Sequence, residues 1–143
     1  MLAPDGSDPA SLATGDGLLV RAHYRADQVV ERPVLGVSIG TREGVHVWGT
    51  HGFDAGYVPE RLEPGTGSID VRIAGLPLLP GVYDVSTVLQ DFRRTVIYDA
   101  FQRGASFTLQ RADRDNAGGI VALDASFGNL EPPQALVPIS RLR

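Results

Sequence analysis

Residues 33–50, PVLGVSIGTREGVHVWGT, hold two runs of alternating apolar and small or polar residues on either side of a polar turn closed by Gly44. Alternation with period two marks a β-strand with one buried face, so the stretch reads as a β-hairpin. With Leu35, Val37 and Ile39 turned to the core from the first strand and Val45 and Val47 from the second, regular alternation turns His46 and Trp48 outward. If the hairpin keeps its apolar faces together, Gly36 and Ser38 lie on that same outer side. Small residues beside an aromatic ring form a trough, and an exposed indole face suits the apolar C–H patch of a sugar ring. The plainer use of an exposed indole is as a packing interface with another strand or subunit.

The same punctuation continues along the chain. Its 17 glycines and 10 prolines fall mostly between short apolar runs, and no stretch keeps apolar residues at i, i+3, i+4 and i+7 long enough for a helix. Strands are expected over 18–26, 34–39, 45–50, 68–74, 82–90, 95–101, 105–110 and 119–123. Their inward residues are Val20, Ala22 and Tyr24, then Ile69, Val71 and Ile73, then Tyr83, Val85 and Leu89, and finally Phe107 and Leu109. About eight short antiparallel strands separated by turns predict an all-β sandwich of immunoglobulin-like or jelly-roll type. The 143 residues suit one core. Residues 1–16 read as a linker or partial first strand and 17–143 as a single sandwich domain, with its last strand at 119–123 and an irregular tail.

Composition excludes several classes. No apolar run approaches the ~20 residues of a membrane span, and the N-terminus carries no apolar signal region. The chain has no cysteine, so disulfides and thiolate metal sites are ruled out. A net charge of -4 speaks against nucleic acid as a partner. The motifs with catalytic overtones also have simpler readings. Gly36-Val-Ser-Ile-Gly40 matches G-x-S-x-G, but a nucleophile elbow needs a helix directly after the serine, and an extended TREGVHV follows. His46 and His51 are an odd number of positions apart, so on one regular strand they face opposite sides, and no metal site is expected from them or from His23. Asp113, Asp115, Gly118 and Asp124 partly match a calcium loop, yet Ala117 stands where a ligand belongs and an Asp/Asn/Gly turn explains them. Asp84, Asp91 and Asp99 have no spacing that pairs them as acid and base. Arg21, His23 and Arg25 form an outward row on the first long strand that reads as a solvated face. The hydrogen-bonding candidates for a glycan are Ser38, His46, His51, Asp91, Arg93, Arg94 and Tyr98, placed around Trp48. No cofactor and no catalytic residue is expected.

Read in order, GDxLxVRxxYRA (15–26), PVxGVSI (33–39), EGVHVxGTH (43–51), SIDVRIxxLPLLPGVYDVSxxLxD (68–91), YDxF (98–101) and FTL (107–109) resemble the C-terminal domain of Wzt proteins. These are the nucleotide-binding subunits of ABC transporters that export O-antigen polysaccharide. The resemblance runs from Ala3 to Leu123, and LPLLPGVYDVS followed by Asp91 is its most specific part. It implies an immunoglobulin-like sandwich that binds the exported polysaccharide, works with an ATPase and a membrane subunit at the cytoplasmic face of the membrane, and forms a homodimer by exchanging its last strand. This chain lacks the GxxxxGKT/S phosphate loop, and Gly65-Thr-Gly-Ser68 carries no Lys, so the ATPase is expected elsewhere. The chain is read either as a domain cut from a longer protein or as a stand-alone relative. The exchanged strand is expected at Ile120 to Leu123, on the long tether 111–119, with Phe127 and Leu130 packing after it.

Overall fold

A computed structural model describes residues 12–110, 119–129, 131 and 138. Its elements are β1 (Leu12–Ala13), β2 (Leu18–Ala26), β3 (Val30–Glu31), β4 (Val34–Thr41), β5 (His46–His51), α1 (Gly52–Ala55), β6 (Arg61–Leu62), β7 (Gly65–Ile73), β8 (Gly81–Gln90) and β9 (Ile97–Gln110). The larger sheet has five strands in the order β1-β9-β8-β4-β5, and β2 pairs with β7 as a second sheet, with β3 and β6 as a short third pair. All pairings are antiparallel except that of β1 with β9. This is the all-β sandwich that the turn spacing predicts.

The core lies where the predicted inward rows meet. Leu18 and Val20 from β2 pack with Val37 and Ile39 from β4, Tyr83 and Val85 from β8, and Phe107 and Leu109 from β9, while Val71 and Ile73 close in from β7. Leu76 and Leu78, from the LPLLPG connection, plug one end. Tyr83 and Phe107 stack at 5.4 Å across the β8–β9 ladder, and the Tyr83 hydroxyl donates to the Leu79 carbonyl. Burial pushes that phenol's pKa upward, so the buried end stays a neutral donor. At the other end the sheets part. Ala22, Tyr24, Leu35, Leu89 and Phe101 line an open cleft of about 800 Å3 between β2 and the first half of β9.

Three expectations change. The strands expected at 95–101 and 105–110 form one strand, β9, because its pairing with β8 breaks register twice: one break, between Val85–Ala105 and Thr87–Phe101, absorbs the extra residues around Arg103, and the other, between Leu89–Asp99 and Gln90–Ile97, absorbs Tyr98. The segment expected as a strand at 119–123 makes only a bridge in which Val121 faces Leu78, with the Leu79 N–H donating to Ile120 O and the Ala122 N–H to Pro77 O. It lies against its own chain. The third change is in the opening hairpin. Gly40 pairs with His46 and Ile39 with Trp48, which leaves Val47 as an extra residue. Directly opposed residues share a face, so this bulge sets Trp48 and Thr50 with the core-facing Ile39 and Val37. Val47 still packs against the core, but Val45, in the turn, is 50% exposed, and Trp48 is 37% exposed at the margin of the edge strand.

Ile39, 2% exposed at the centre of this packing, is the residue whose truncation should hurt most. Ile39→Ala is expected to lower stability by about 2–5 kcal/mol through lost burial and a residual cavity. Urea unfolding followed by Trp48 fluorescence measures it.

Candidate functional site

The outer face of the five-stranded sheet carries a groove of about 720 Å3. It follows from register alone. On β4 the outward residues are Gly36, Ser38 and Gly40, a floor of small side chains. On β8 the outward residues opposite them are Val88, Ser86 and Asp84, and Gln90 extends the row. On β5 the bulge returns Gly49 and His51 to this face opposite Ser38 and Gly36, with His46 opposite Gly40. Ala100 and Gln102 of β9 form the far wall. The floor has no spare room for bulk. A Cβ on Gly36 would come within 2.8 Å of Val88 Cγ1, and one on Gly49 within 3.2 Å of the His46 ring. Ser38 and His51 are half-buried and His46 is exposed, so the groove is a shallow, open trough of hydrogen-bonding groups.

His51 anchors one end. It stands at the N-cap of α1, where its Nδ1 accepts the Asp54 N–H at 3.3 Å. With Nδ1 accepting, a neutral ring carries its hydrogen on Nε2, which donates to Asp54 Oδ2 at 3.2 Å, while Arg94 Nη1 lies 2.8 Å from the same nitrogen. Behind it, Arg94 lies 5.5 Å from the Phe53 ring centre, Phe53 packs edge-on against Phe92 at 5.4 Å, and Arg32 sits 3.5 Å over Phe92. This stack of guanidinium and aromatic faces holds the β8–β9 turn against α1. Gly52 admits the close turn, since a Cβ there would strike the Tyr57 carbonyl.

Of the residues singled out from sequence, Ser38, His46 and His51 line the groove. The others go elsewhere. Trp48 is on the opposite face of the hairpin, for the reason given by the bulge, so the expected pairing of His46 and Trp48 on one side is corrected. Asp91 closes the β8–β9 turn: Oδ1 accepts the Val96 and Thr95 N–H groups at 2.7 Å each and Oδ2 accepts the Thr95 hydroxyl at 3.0 Å. Arg93 is exposed in that turn, and Tyr98 lines the cleft on the other side of the sheet. Ser86, Gln90 and Gln102 were not singled out. The first two were legible, because Tyr83, Val85 and Leu89 facing inward place the residues between them outward; Gln102 depends on the β9 bulge. Ser38 lies mid-strand, and Asp84, Asp91 and Asp99 are distributed over the outer face, the turn and the cleft. Among the described residues no group of three or more His, Asp or Glu is placed to hold a metal ion, and Asp113, Asp115 and Gly118 lie outside those residues. No helix among them is long and apolar enough to cross a membrane.

Fold and groove together define the class: a two-sheet β-sandwich with a polar trough across the outer face of its larger sheet. The chain belongs to the family of Wzt C-terminal domains, whose family model matches residues 1–123. It is similar to a solved structure described as the C-terminal domain of Wzt, with a TM-score of 0.70 at 19% identity, over 90% of this chain and 78% of that one. No curated protein matches it. The family is one of non-catalytic domains in the context of ABC exporters.

The turn beneath the His51 end has a definite acid limit. The Val96 N–H, together with the Thr95 hydroxyl and N–H, holds the Asp91 carboxyl below its usual range. A depressed folded-state pKa gives stability that is present above the unfolded value of about 3.9 and is lost as pH falls through the lower folded value. The Thr95 and Val96 amide resonances should therefore hold their native positions down to pH ~4 and move only below it. Asp91→Asn should shift them already at neutral pH.

Proposed function

We propose that the chain is a non-catalytic carbohydrate-binding domain that selects an O-antigen type polysaccharide for an ABC exporter, at the cytoplasmic face of the membrane. One observation carries the reading: the trough of Gly36, Ser38, His46, His51, Ser86 and Gln90 offers an open run of hydrogen-bond donors and acceptors over a floor of minimal side chains. Its volume lies within the roughly 300–1,000 Å3 of ordinary ligand clefts, and its openness suits a chain passing through. A sugar ring set on small residues places its hydroxyls beside the walls. Family membership supports the exporter context, in which an ATPase and a membrane subunit are the partners we propose. Ser38→Phe should fill the floor and abolish binding of the exported polysaccharide while the fold is retained. Trp48→Ala should leave that affinity unchanged, because the indole is on the other face; calorimetric titration of the two variants compares them.

A second reading, a protein-interaction sandwich, is favoured by the partly exposed Trp48 on the edge strand β5 and by exposed Val45 in the turn that leads into it. If it holds, Trp48 fluorescence responds to protein concentration and Ser38→Phe has no effect on any glycan.

The cleft between β2 and β9 supports a homodimer by strand exchange. Among the described residues β2 pairs only with β7, which leaves its other edge open over apolar lining residues. Just beyond the Leu78 bridge, Leu123 is 78% and Phe127 100% exposed. The exchanged strand is proposed at Ile120 to Leu123, where Val121 can form with the partner's Leu78 the bridge it forms here within one chain, and Phe127 packs after it; Leu130 lies outside the described residues. Light scattering should find a dimer for the full chain and a monomer after truncation behind Arg111. An unaltered dimer after truncation counts against exchange.

A further inference from the structure

One step past the groove lining, the outer face carries a row in which His46 on β5, itself a groove residue, is followed by Gly40 on β4, Asp84 on β8 and Ser106 on β9, each opposite the next. Asp84 is only 7% exposed, and among the described residues its Oδ2 is buried with no hydrogen-bond donor. A carboxylate oxygen in that state has given up water without replacement, which is unfavourable unless something else donates to it. Two guanidiniums are close but do not satisfy it. Arg42 Nη2 is 3.4 Å from Oδ1 and Arg103 Nε is 3.9 Å from Oδ2, and both arginine side chains are more than half exposed.

Arg103 is held over this point by backbone geometry. Its φ of 51° is left-handed and unusual for a residue other than glycine. Its N–H donates to Ser86 Oγ at 2.9 Å, and its Nη2 reaches the β4–β5 turn, 3.7 Å from where a Cβ on Gly44 would be. The side chain thus crosses the end of the trough, from β9 to the opposite turn, on top of a carboxylate that lacks a donor.

We propose that Asp84 and Arg103 form an end subsite for two neighbouring hydroxyls of a sugar residue. This rests on the carbohydrate-binding reading and adds to it a charged subsite at one end of the groove. The exposed guanidinium turns aside, one hydroxyl donates to Oδ2, and the next accepts from Arg103. A pair of adjacent hydroxyls thus supplies both the donor that the buried oxygen lacks and an acceptor for the guanidinium.

The test uses the full chain, 15N-labelled, and the methyl glycosides of glucose, galactose and mannose, each beside counterparts with one ring hydroxyl removed. At least one glycoside should shift the amides of Gly40, Ser86 and Ser106, and a counterpart that has lost one of two neighbouring hydroxyls should bind more weakly. Asp84→Asn, which keeps the side chain's shape, should weaken that binding by about tenfold or more, the scale of a hydrogen bond to a charged group. Arg103→Gly accepts the left-handed backbone without strain, so it tests the second partner in a chain that folds, and it too should weaken binding. If a glycoside shifts Ser38 and His51 but Asp84→Asn and Arg103→Gly bind it as tightly, the groove reading stands and the subsite is overturned. Equal binding by every counterpart that lacks a hydroxyl also overturns it. If no glycoside moves any groove amide, both fall.

Discussion

The antiparallel ladder between β4 and β8 runs without a break for its whole length, from Val34 opposite Gln90 to Thr41 opposite Tyr83, whereas the pairings on either side of it carry bulges. Every face assignment in the larger sheet is referred to this ladder. It puts Val37, Ile39, Tyr83 and Val85 into the core together, each contributing roughly 1.5–3 kcal/mol of burial. In the same register it puts Gly36, Ser38, Gly40, Asp84 and Ser86 outside. A slip of one residue would exchange the two sets, burying the polar row and exposing the apolar one. The groove is thus the other side of the same pairing that builds the core.

The irregularities beside that ladder give the groove its walls. The extra residue at Val47 lets one edge strand supply both a core contact, from Val47, and a groove wall, from His46 and His51. The bulged stretch of β9 carries Arg103 over Asp84 at the opposite wall. Bulges re-aim side chains at a local cost in pairing. Here that cost falls on the outer strands of the ladder, where a functional surface can be shaped without disturbing the packed pair at its centre.

The two ends of the sandwich differ in how completely they are closed. At one end LPLLPG tucks Leu76 and Leu78 into the core, where Thr14 and the Val121 bridge hold it. At the other, β2 has no second neighbour among the described residues, and its inward side chains look into a cleft. An open apolar cleft and exposed Leu123 and Phe127 on one chain are complementary demands. The proposed dimer by exchange would meet both.

Much of this was legible in the residues themselves. Period-two runs placed Val20, Val37, Ile39, Ile69, Tyr83, Val85, Phe107 and Leu109 inward, and all are buried. The order of motifs from Gly15 to Leu109 pointed to the family that the model over residues 1–123 matches. The outward row Asp84, Ser86, Val88 and Gln90 followed from the same alternation. Trp48 did not. Strict alternation along 45–50 holds only while the strand is regular, and whether it is regular depends on its pairing with β4, a contact between strands that no local pattern encodes. The joining of 95–101 and 105–110 into β9, the cation–aromatic stack behind His51 and the orphaned oxygen of Asp84 are of the same kind. Sequence by itself determined which residues are apolar and with what period, hence the core and the sheet faces; only tertiary pairing decided where the period breaks, and each break moved a side chain to the other face.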